Sequence, residues 1–194
     1  MKTTEQERTA ETNARDLWSG ILTVAGGIAV AFGGIDPLTV GWILIIPGGP
    51  LLALGAWLGQ AERRAIACKV WASILIAVGY ALIPIWYGVM MANVFGRMGS
   101  TTGPSISIWW GLPAFLPLAI GWNMVVWGPG SPRWLSLLGI GDGLWYLALG
   151  VILARQGHGD WPALVALAMF GTVVLVGCTC RVRQQMKAKA MVHH

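Results

Sequence analysis

Six long apolar runs constrain the fold of this chain more than any other feature of its sequence. They cover residues of about 17–35, 38–58, 70–91, 106–127, 134–154 and 161–180. A helix rises about 1.5 Å per residue, so about 20 residues cross a bilayer core of about 30 Å. Only 11% of the 194 residues are charged, against roughly 25% in soluble domains. The sequence therefore predicts an all-α, polytopic membrane bundle of six transmembrane helices.

The distribution of basic residues predicts the orientation of this bundle. Six spans put both termini on one side, and that side collects 11 of the 13 Lys and Arg residues, leaving Arg97 and Arg155 for the other. The positive-inside rule then places both termini in the cytoplasm and the protein in the inner (plasma) membrane. Because this topology explains the net charge of +5, we expect the lipid bilayer as partner and no nucleic acid.

Polar segments flank the apolar region. Residues 1–16 carry four acids and three bases, and they predict a poorly ordered cytoplasmic arm. Residues 181–194 predict a basic cytoplasmic tail. Residues 17–180 between them predict a single transmembrane domain.

A repeated pattern divides the transmembrane domain into three parts. The parts cover about residues 17–60, 70–127 and 134–180. Each part starts with a tryptophan, has a proline before its second span and ends in an apolar run with a glycine. These residues are Trp18, Trp71 and Trp134, then Pro37, Pro104 and Pro162, then Gly55, Gly121 and Gly177. The pattern predicts three tandem helical hairpins, and aligning the tryptophans pairs Asp142 with Gly26 and Gly79.

Asp142 is the one acidic residue that we expect inside a span. A carboxylate at that depth costs roughly 2.5 to 3.5 kcal/mol on insertion scales. Gly139 and Gly143 flank it at the spacing that lets membrane helices approach closely. We therefore expect Asp142 to face a helix contact, either neutral or hydrogen-bonded inside the protein. A functional role and plain interhelical hydrogen bonding both stay open for this residue.

Three further residues are weaker candidates for function. His158 falls in the last outer loop, and an imidazole titrates near pH ~6.5, in the range that a pH sensor needs. Trp145 falls deep in the fifth span, where it would line a cavity or pack in the core. Asp36 falls at the outer face between the first two spans. A solvated loop residue is the alternative for His158.

The sequence shows no catalytic pattern. It lacks a Ser/His/Asp constellation on facing spans, a phosphate-binding loop and paired intramembrane carboxylates. Cys178 and Cys180, with His193 and His194, offer soft metal ligands, but a lone Cys-x-Cys more often fills space. We therefore predict no enzyme, no cofactor and no metal site.

These features together resemble those of the HdeD-like acid-resistance membrane proteins. The resemblance rests on six spans, cytoplasmic termini and short hairpin repeats with an outer proline and an apolar ending with glycine. It implies a non-enzymatic inner-membrane protein linked to acid stress. A weaker resemblance, to amide and urea channels, rests on Asp36-Pro37 followed by Gly48-Gly49. It implies a channel or transporter for a small neutral solute or protons. A homo-oligomer or an accessory subunit of a larger membrane complex is the third interpretation.

Overall fold

The computed structural model describes residues 2–37, 40–96, 112–157 and 161–192. Within those ranges the chain forms six α-helices and no strand, which confirms the all-α prediction. The helices are α1 (Lys2–Ile35), α2 (Trp42–Leu58), α3 (Arg63–Gly96), α4 (Leu112–Trp127), α5 (Arg133–Arg155) and α6 (Trp161–Val192).

Four of these helices are long and apolar enough to cross a membrane. The apolar segments of α1, α3, α5 and α6 are Glu11–Ile35, Arg63–Val89, Arg133–Arg155 and Leu164–Ala188. Large apolar side chains are exposed on the bundle surface, including Trp18, Phe32 and Met169. An exposed apolar surface of this extent is unfavourable in water and favourable in lipid. The helices therefore indicate a membrane protein.

The second apolar helix is shorter than the sequence predicts, and the fourth is described only from Leu112 onward. They contain 17 and 16 residues, or about 26 and 24 Å of helix. The sequence predicts a span over 38–58, whereas α2 begins at Trp42, because the chain first turns with the Gly41 amide donating to the Asp36 carbonyl at 2.9 Å. The residues that precede Leu112 in the predicted span 106–127 lie outside the described part of the chain.

Both flanking segments are helical, which corrects the prediction of a poorly ordered arm over 1–16. α1 begins at Lys2, and α6 continues through most of the basic tail to Val192. Neither proline nor glycine occurs before Gly20, and the arm is rich in Glu, Gln, Arg and Ala, which have high helix propensity. The polar composition thus ends the apolar span but does not end the helix.

Each helix packs most extensively against a sequence neighbour: α1 on α2, α3 on α4 and α5 on α6. Glycines make these contacts close, since a Cβ at Gly26 would lie 2.8 Å from the Gly48 carbonyl oxygen. In the other two pairs, a Cβ at Gly79 would lie 2.9 Å from the Ala114 oxygen, and one at Gly143 would lie 3.0 Å from the Gly171 oxygen. In each case the same Cβ would also meet the amide nitrogen four residues further along the partner, in Leu52, Leu118 and Leu175.

This shared contact corrects the register predicted for the third part of the chain. The counterpart of Gly26 and Gly79 is Gly143, not Asp142. Asp142 instead corresponds to Ala25 and Val78, which are both exposed. Aligning the tryptophans does not show this one-residue shift. The close helix contact forms at the glycine, which has no Cβ, and the position of the tryptophan does not determine it.

α4 lies at the centre of the bundle, in contact with α1, α3, α5 and α6. Its residues Trp122, Val125 and Val126 are buried in the hydrophobic core. We call the end of the bundle that carries the α2–α3 turn (residues 59–62) and the α4–α5 turn (residues 128–132) the basic end. The first turns of α1 and the last turns of α6 lie at this end, and so does Lys69.

Candidate functional site

An apolar cavity of about 450 Å³ lies toward the end of the bundle opposite the basic end. Its walls come mainly from α4 and α6, with α1 and α5 closing it from behind. The residues of α4 and α6 that line it include Phe115, Leu116, Ala119, Ala166, Leu167 and Phe170. Gly34 of α1, Pro37, Ile45 of α2 and Tyr146 of α5 also line it.

The polar groups of the cavity wall are already hydrogen-bonded to α1. The Tyr146 hydroxyl donates to the Gly34 carbonyl at 2.5 Å, and Trp122 Nε1 donates to the Val30 carbonyl at 3.2 Å. The last four carbonyls of a helix have no partner within that helix, so the Tyr146 hydroxyl stabilises the end of α1 at Gly34. The Trp122 bond joins α4 to α1 about one turn earlier. The cavity consequently offers an incoming molecule apolar contact and very little hydrogen bonding.

Aromatic rings fix the shape of this wall. Phe170 packs edge-on against Tyr146 at a ring-centroid distance of 4.9 Å, and it lies 5.9 Å from Trp122. Trp122 approaches α1 closely because Gly34 has no side chain, and a Cβ there would lie 2.6 Å from Trp122 Nε1. Rings held on several sides keep the cavity open instead of collapsing into it.

The cavity opens between α4 and α6 onto the outer surface of the bundle. Leu116 on its rim is 55% exposed, and Ala166 is exposed as well. The surface around this opening is apolar, as the surface of a membrane-embedded helix is. The opening therefore favours the entry of an apolar molecule.

Asp142 is buried beside the cavity but does not line it. The side chain is 8% exposed, as its flanking glycines predict, and it lies near Tyr146 and Cys178. Its Oδ2 atom is buried without a hydrogen-bond partner among the residues that the structure describes. A buried carboxylate oxygen without a partner is costly, which marks Asp142 as an unusual feature of α5.

The two other predicted site residues that the structure describes, Trp145 and Asp36, do not join Asp142 in a polar site. Trp145 is 43% exposed on the outer surface, which corrects the prediction that it lines a cavity or packs in the core; Trp122 takes that place. Asp36 is exposed in the turn after α1, where it acts electrostatically on Tyr146. His158, His193 and His194 lie outside the described residues.

A second, polar cavity of about 180 Å³ lies at the basic end. Lys69 of α3 lines it together with Ser19 and Thr23 of α1. Lys69 is only 2% exposed, so a cation is buried within the bundle. In the sequence, Lys69 lies just before the predicted span 70–91, among the basic residues expected in cytoplasmic loops, so this site was not predicted. One signal in the sequence points to it, because Ala65, Lys69 and Ala72 fall on one face of a helix that begins earlier than the apolar run.

Among the described residues, no group of three or more His, Cys, Asp or Glu side chains lies close enough to hold a metal ion. Comparison of the chain with protein-family models, with curated proteins and with solved structures finds no match. The resemblance to the HdeD-like proteins therefore stays a prediction.

Proposed function

We propose that this chain is a non-enzymatic integral membrane protein that binds the hydrocarbon chain of a membrane lipid in the apolar cavity. The single observation that supports this function is the cavity itself, with about 450 Å³ between α4 and α6. That volume falls within the range of roughly 300 to 1,000 Å³ of small-molecule sites.

The chemistry of the wall favours a hydrocarbon chain over a polar solute. The Tyr146 hydroxyl and the Trp122 indole N–H both donate to α1, so they are not available as donors to a ligand. A polar ligand would lose its hydrogen bonds to water on entry and regain few of them. An acyl chain loses none, and it is already present in the lipid that surrounds the opening.

We further propose six membrane crossings arranged as three tandem hairpins, with both termini in the cytoplasm. The repeated glycine contacts of Gly26, Gly79 and Gly143 support the hairpin arrangement. The excess of basic residues at the basic end supports the orientation. A link to acid stress, which the HdeD-like resemblance implies, is part of the same proposal, and His158→Gln tests it through acid survival.

Photo-crosslinking tests lipid binding directly. The purified protein is reconstituted with a phospholipid whose acyl chain carries a terminal diazirine, irradiated, and digested for mass spectrometry. Adducts are expected to concentrate on the cavity walls, in residues 115–119 and 166–170. Ala119→Phe fills the cavity and is expected to reduce these adducts several-fold.

Ala77→Phe is the matched control, because Ala77 lies on an exposed face of α3. It should leave the adducts on α4 and α6 unchanged. Ala166→Phe at the rim gives a second blocking variant if Ala119→Phe folds poorly. Adducts spread evenly over all exposed helix faces, and unaffected by Ala119→Phe, would show that the cavity holds no lipid chain.

Asp142 favours a second candidate function, the transport of protons or a small neutral solute. The observation is its buried Oδ2 atom without a described partner, in the middle of a helix that can cross a membrane. Such a carboxylate takes up or releases a proton when water reaches it. Proteoliposomes loaded with a pH-sensitive dye measure proton flux, and Asp142→Asn should abolish it. No flux with the unmodified protein would leave lipid binding as the only candidate.

A further inference from the structure

Lys69 of the polar cavity is a buried cation with incomplete compensation. Its Nζ donates to the Val125 carbonyl at 2.9 Å and to Ser131 Oγ at 2.5 Å. An ammonium group has three N–H donors, so one N–H has no acceptor among the described residues. The groups that act electrostatically on Lys69 are Cys68 and Arg181, and neither is a carboxylate. A buried charge of this kind is costly unless an opposite charge accompanies it.

A structural role accounts for only part of this arrangement. Val125 lies in the last turn of α4, and a cation there stabilises the helix through its dipole. The Ser131 hydroxyl also donates to the Val125 carbonyl, at 2.6 Å, so one carbonyl accepts from two donors. The helix dipole supplies only a fraction of one negative charge. A full positive charge on Lys69 therefore remains to be balanced.

Two arginines add unpaired donors at the same end of the bundle. Arg181 of α6 lies close enough to Lys69 for their like charges to repel, and its Nε is buried without a described partner. Arg15 of α1 precedes the cavity residue Ser19 by one helical turn, and its Nε is buried and unpartnered as well. Bringing several cations together without an anion destabilises a folded chain, whereas an anion among them reverses the sign of the interaction.

The polar cavity has room for such an anion. Its volume of about 180 Å³ greatly exceeds the ~10–15 Å³ that a single water needs. The Thr23 hydroxyl lies on its wall, and Gly59 and Gly130 border it in exposed or turn positions. A tetrahedral group with several acceptor oxygens can accept from the Lys69 ammonium and from the Thr23 hydroxyl, whose residues both line the cavity.

We propose that the polar cavity binds a phosphate group, with the Lys69 ammonium as its central contact. The phosphate belongs either to the headgroup of an anionic lipid or to free inorganic phosphate, since both offer the same acceptor oxygens. This site is separate from the apolar cavity, lies at the other end of the bundle and does not depend on lipid binding there.

Two binding measurements separate the two sources of phosphate. In an uncharged detergent, inorganic phosphate is titrated against chloride at equal ionic strength, and the thermal unfolding midpoint is followed by tryptophan fluorescence. In nanodiscs of phosphatidylglycerol and phosphatidylcholine in equal amounts, native mass spectrometry counts the lipids that stay bound. A response to inorganic phosphate identifies a free-anion site, and retention of phosphatidylglycerol alone identifies a headgroup site.

Lys69→Met removes the charge and keeps the length of the side chain. In whichever of the two measurements shows binding, this variant should bind phosphate or phosphatidylglycerol about tenfold more weakly, or worse. That is the expected effect of losing a buried hydrogen bond to a charged group. Lys187→Met is the matched control, because Lys187 is exposed on the same helix as Arg181, and it should bind as the unmodified protein does. Thr23→Leu narrows the cavity without removing a Lys69 bond, so it serves if Lys69→Met fails to fold.

The proposal is overturned if the unmodified protein responds in neither arm, which would mean that the cavity holds only water. It is equally overturned if a folded Lys69→Met or Thr23→Leu variant binds as tightly as the unmodified protein.

Discussion

At the scale of single residues, glycines determine the packing of the helices more than polar residues do. Gly143 and Gly141 lie two residues apart on α5 and differ completely in surroundings. A Cβ at Gly143 would lie 3.0 Å from backbone atoms of α6, whereas a Cβ at Gly141 would meet nothing within 4 Å. In a helix that is apolar on nearly all sides, such steric differences determine which face packs.

This contrast gives a matched pair of substitutions. Gly143→Leu should lower the free energy of unfolding by ~1–3 kcal/mol, because the new side chain forces α5 and α6 apart. Gly141→Leu should leave it unchanged or raise it slightly, since leucine has a higher helix propensity than glycine. Thermal unfolding midpoints of the two variants in one detergent provide the measurement. Equal destabilisation by both would show that the α5–α6 contact differs from the one described.

Tyr146 allows a second test at this scale. Tyr146→Phe removes the hydroxyl that donates to the Gly34 carbonyl and leaves that carbonyl buried without this donor. The expected loss of unfolding free energy is ~1–3 kcal/mol. Tyr87→Phe is the control, because Tyr87 is 52% exposed, and it should unfold at the temperature of the unmodified protein. If the two variants unfold alike, the bond to Gly34 contributes little to stability.

The burial of some of these residues can be predicted from the sequence on physical grounds, whereas the burial of others cannot. The burial of Asp142 follows from Gly139 and Gly143 beside it, because small residues mark the packed face. Lys69 cannot be placed by composition, since a lysine at the edge of an apolar run is normally a loop residue. Only the path of α3, which starts at Arg63, brings its side chain inside.

At the scale of helices, the correspondence among the three helix pairs holds for the second helix of each pair as well as for Gly143 in the first. Gly55 and Gly121 each pack against a neighbouring backbone, three residues after Leu52 and Leu118. The same spacing after Leu175 leads to Cys178 in α6. This cysteine is fully buried and takes the place of a glycine, and its thiol lies over Gly139, where a Cβ would lie 2.7 Å from the Cys178 Sγ atom.

The register predicts different outcomes for the two neighbouring cysteines. Cys178→Leu should destabilise the protein by ~1–3 kcal/mol through overpacking, whereas Cys178→Gly should preserve the fold. Cys180→Leu is the control, because Cys180 is exposed. Chemical unfolding followed by tryptophan fluorescence compares the three variants. Tolerance of leucine at 178 would show that α5 and α6 are not packed as closely as α1 and α2.

The number and type of the helices could be predicted, because each apolar run is long and uniform. Their ends could not, since they depend on turns and on helix propensity in polar segments. The Asp36–Gly41 turn shortens α2, and the arm before Gly20 lengthens α1. The apolar cavity was equally beyond prediction, because it depends on how five helices approach one another.

At the scale of the whole molecule, the two cavities lie at opposite ends of one bundle and differ in chemistry. The apolar cavity opens toward exposed apolar side chains, and the polar cavity is lined by Lys69, with Arg181 near that lysine. This separation matches a membrane whose hydrocarbon region and inner surface present different ligands. Entry of a lipid chain between α4 and α6 consequently requires that both helices cross the bilayer, as the six-crossing arrangement predicts.

Labelling of two cysteine variants from outside intact cells tests these crossings most directly. Glu62→Cys and Arg155→Cys are made separately in a chain without its three native cysteines, and both positions are exposed. Three helices, α3 to α5, lie between them, so six crossings put them on opposite sides. A membrane-impermeant maleimide should label position 155 in intact cells and position 62 only after permeabilisation. Labelling of both positions from the same side would contradict the six-crossing arrangement.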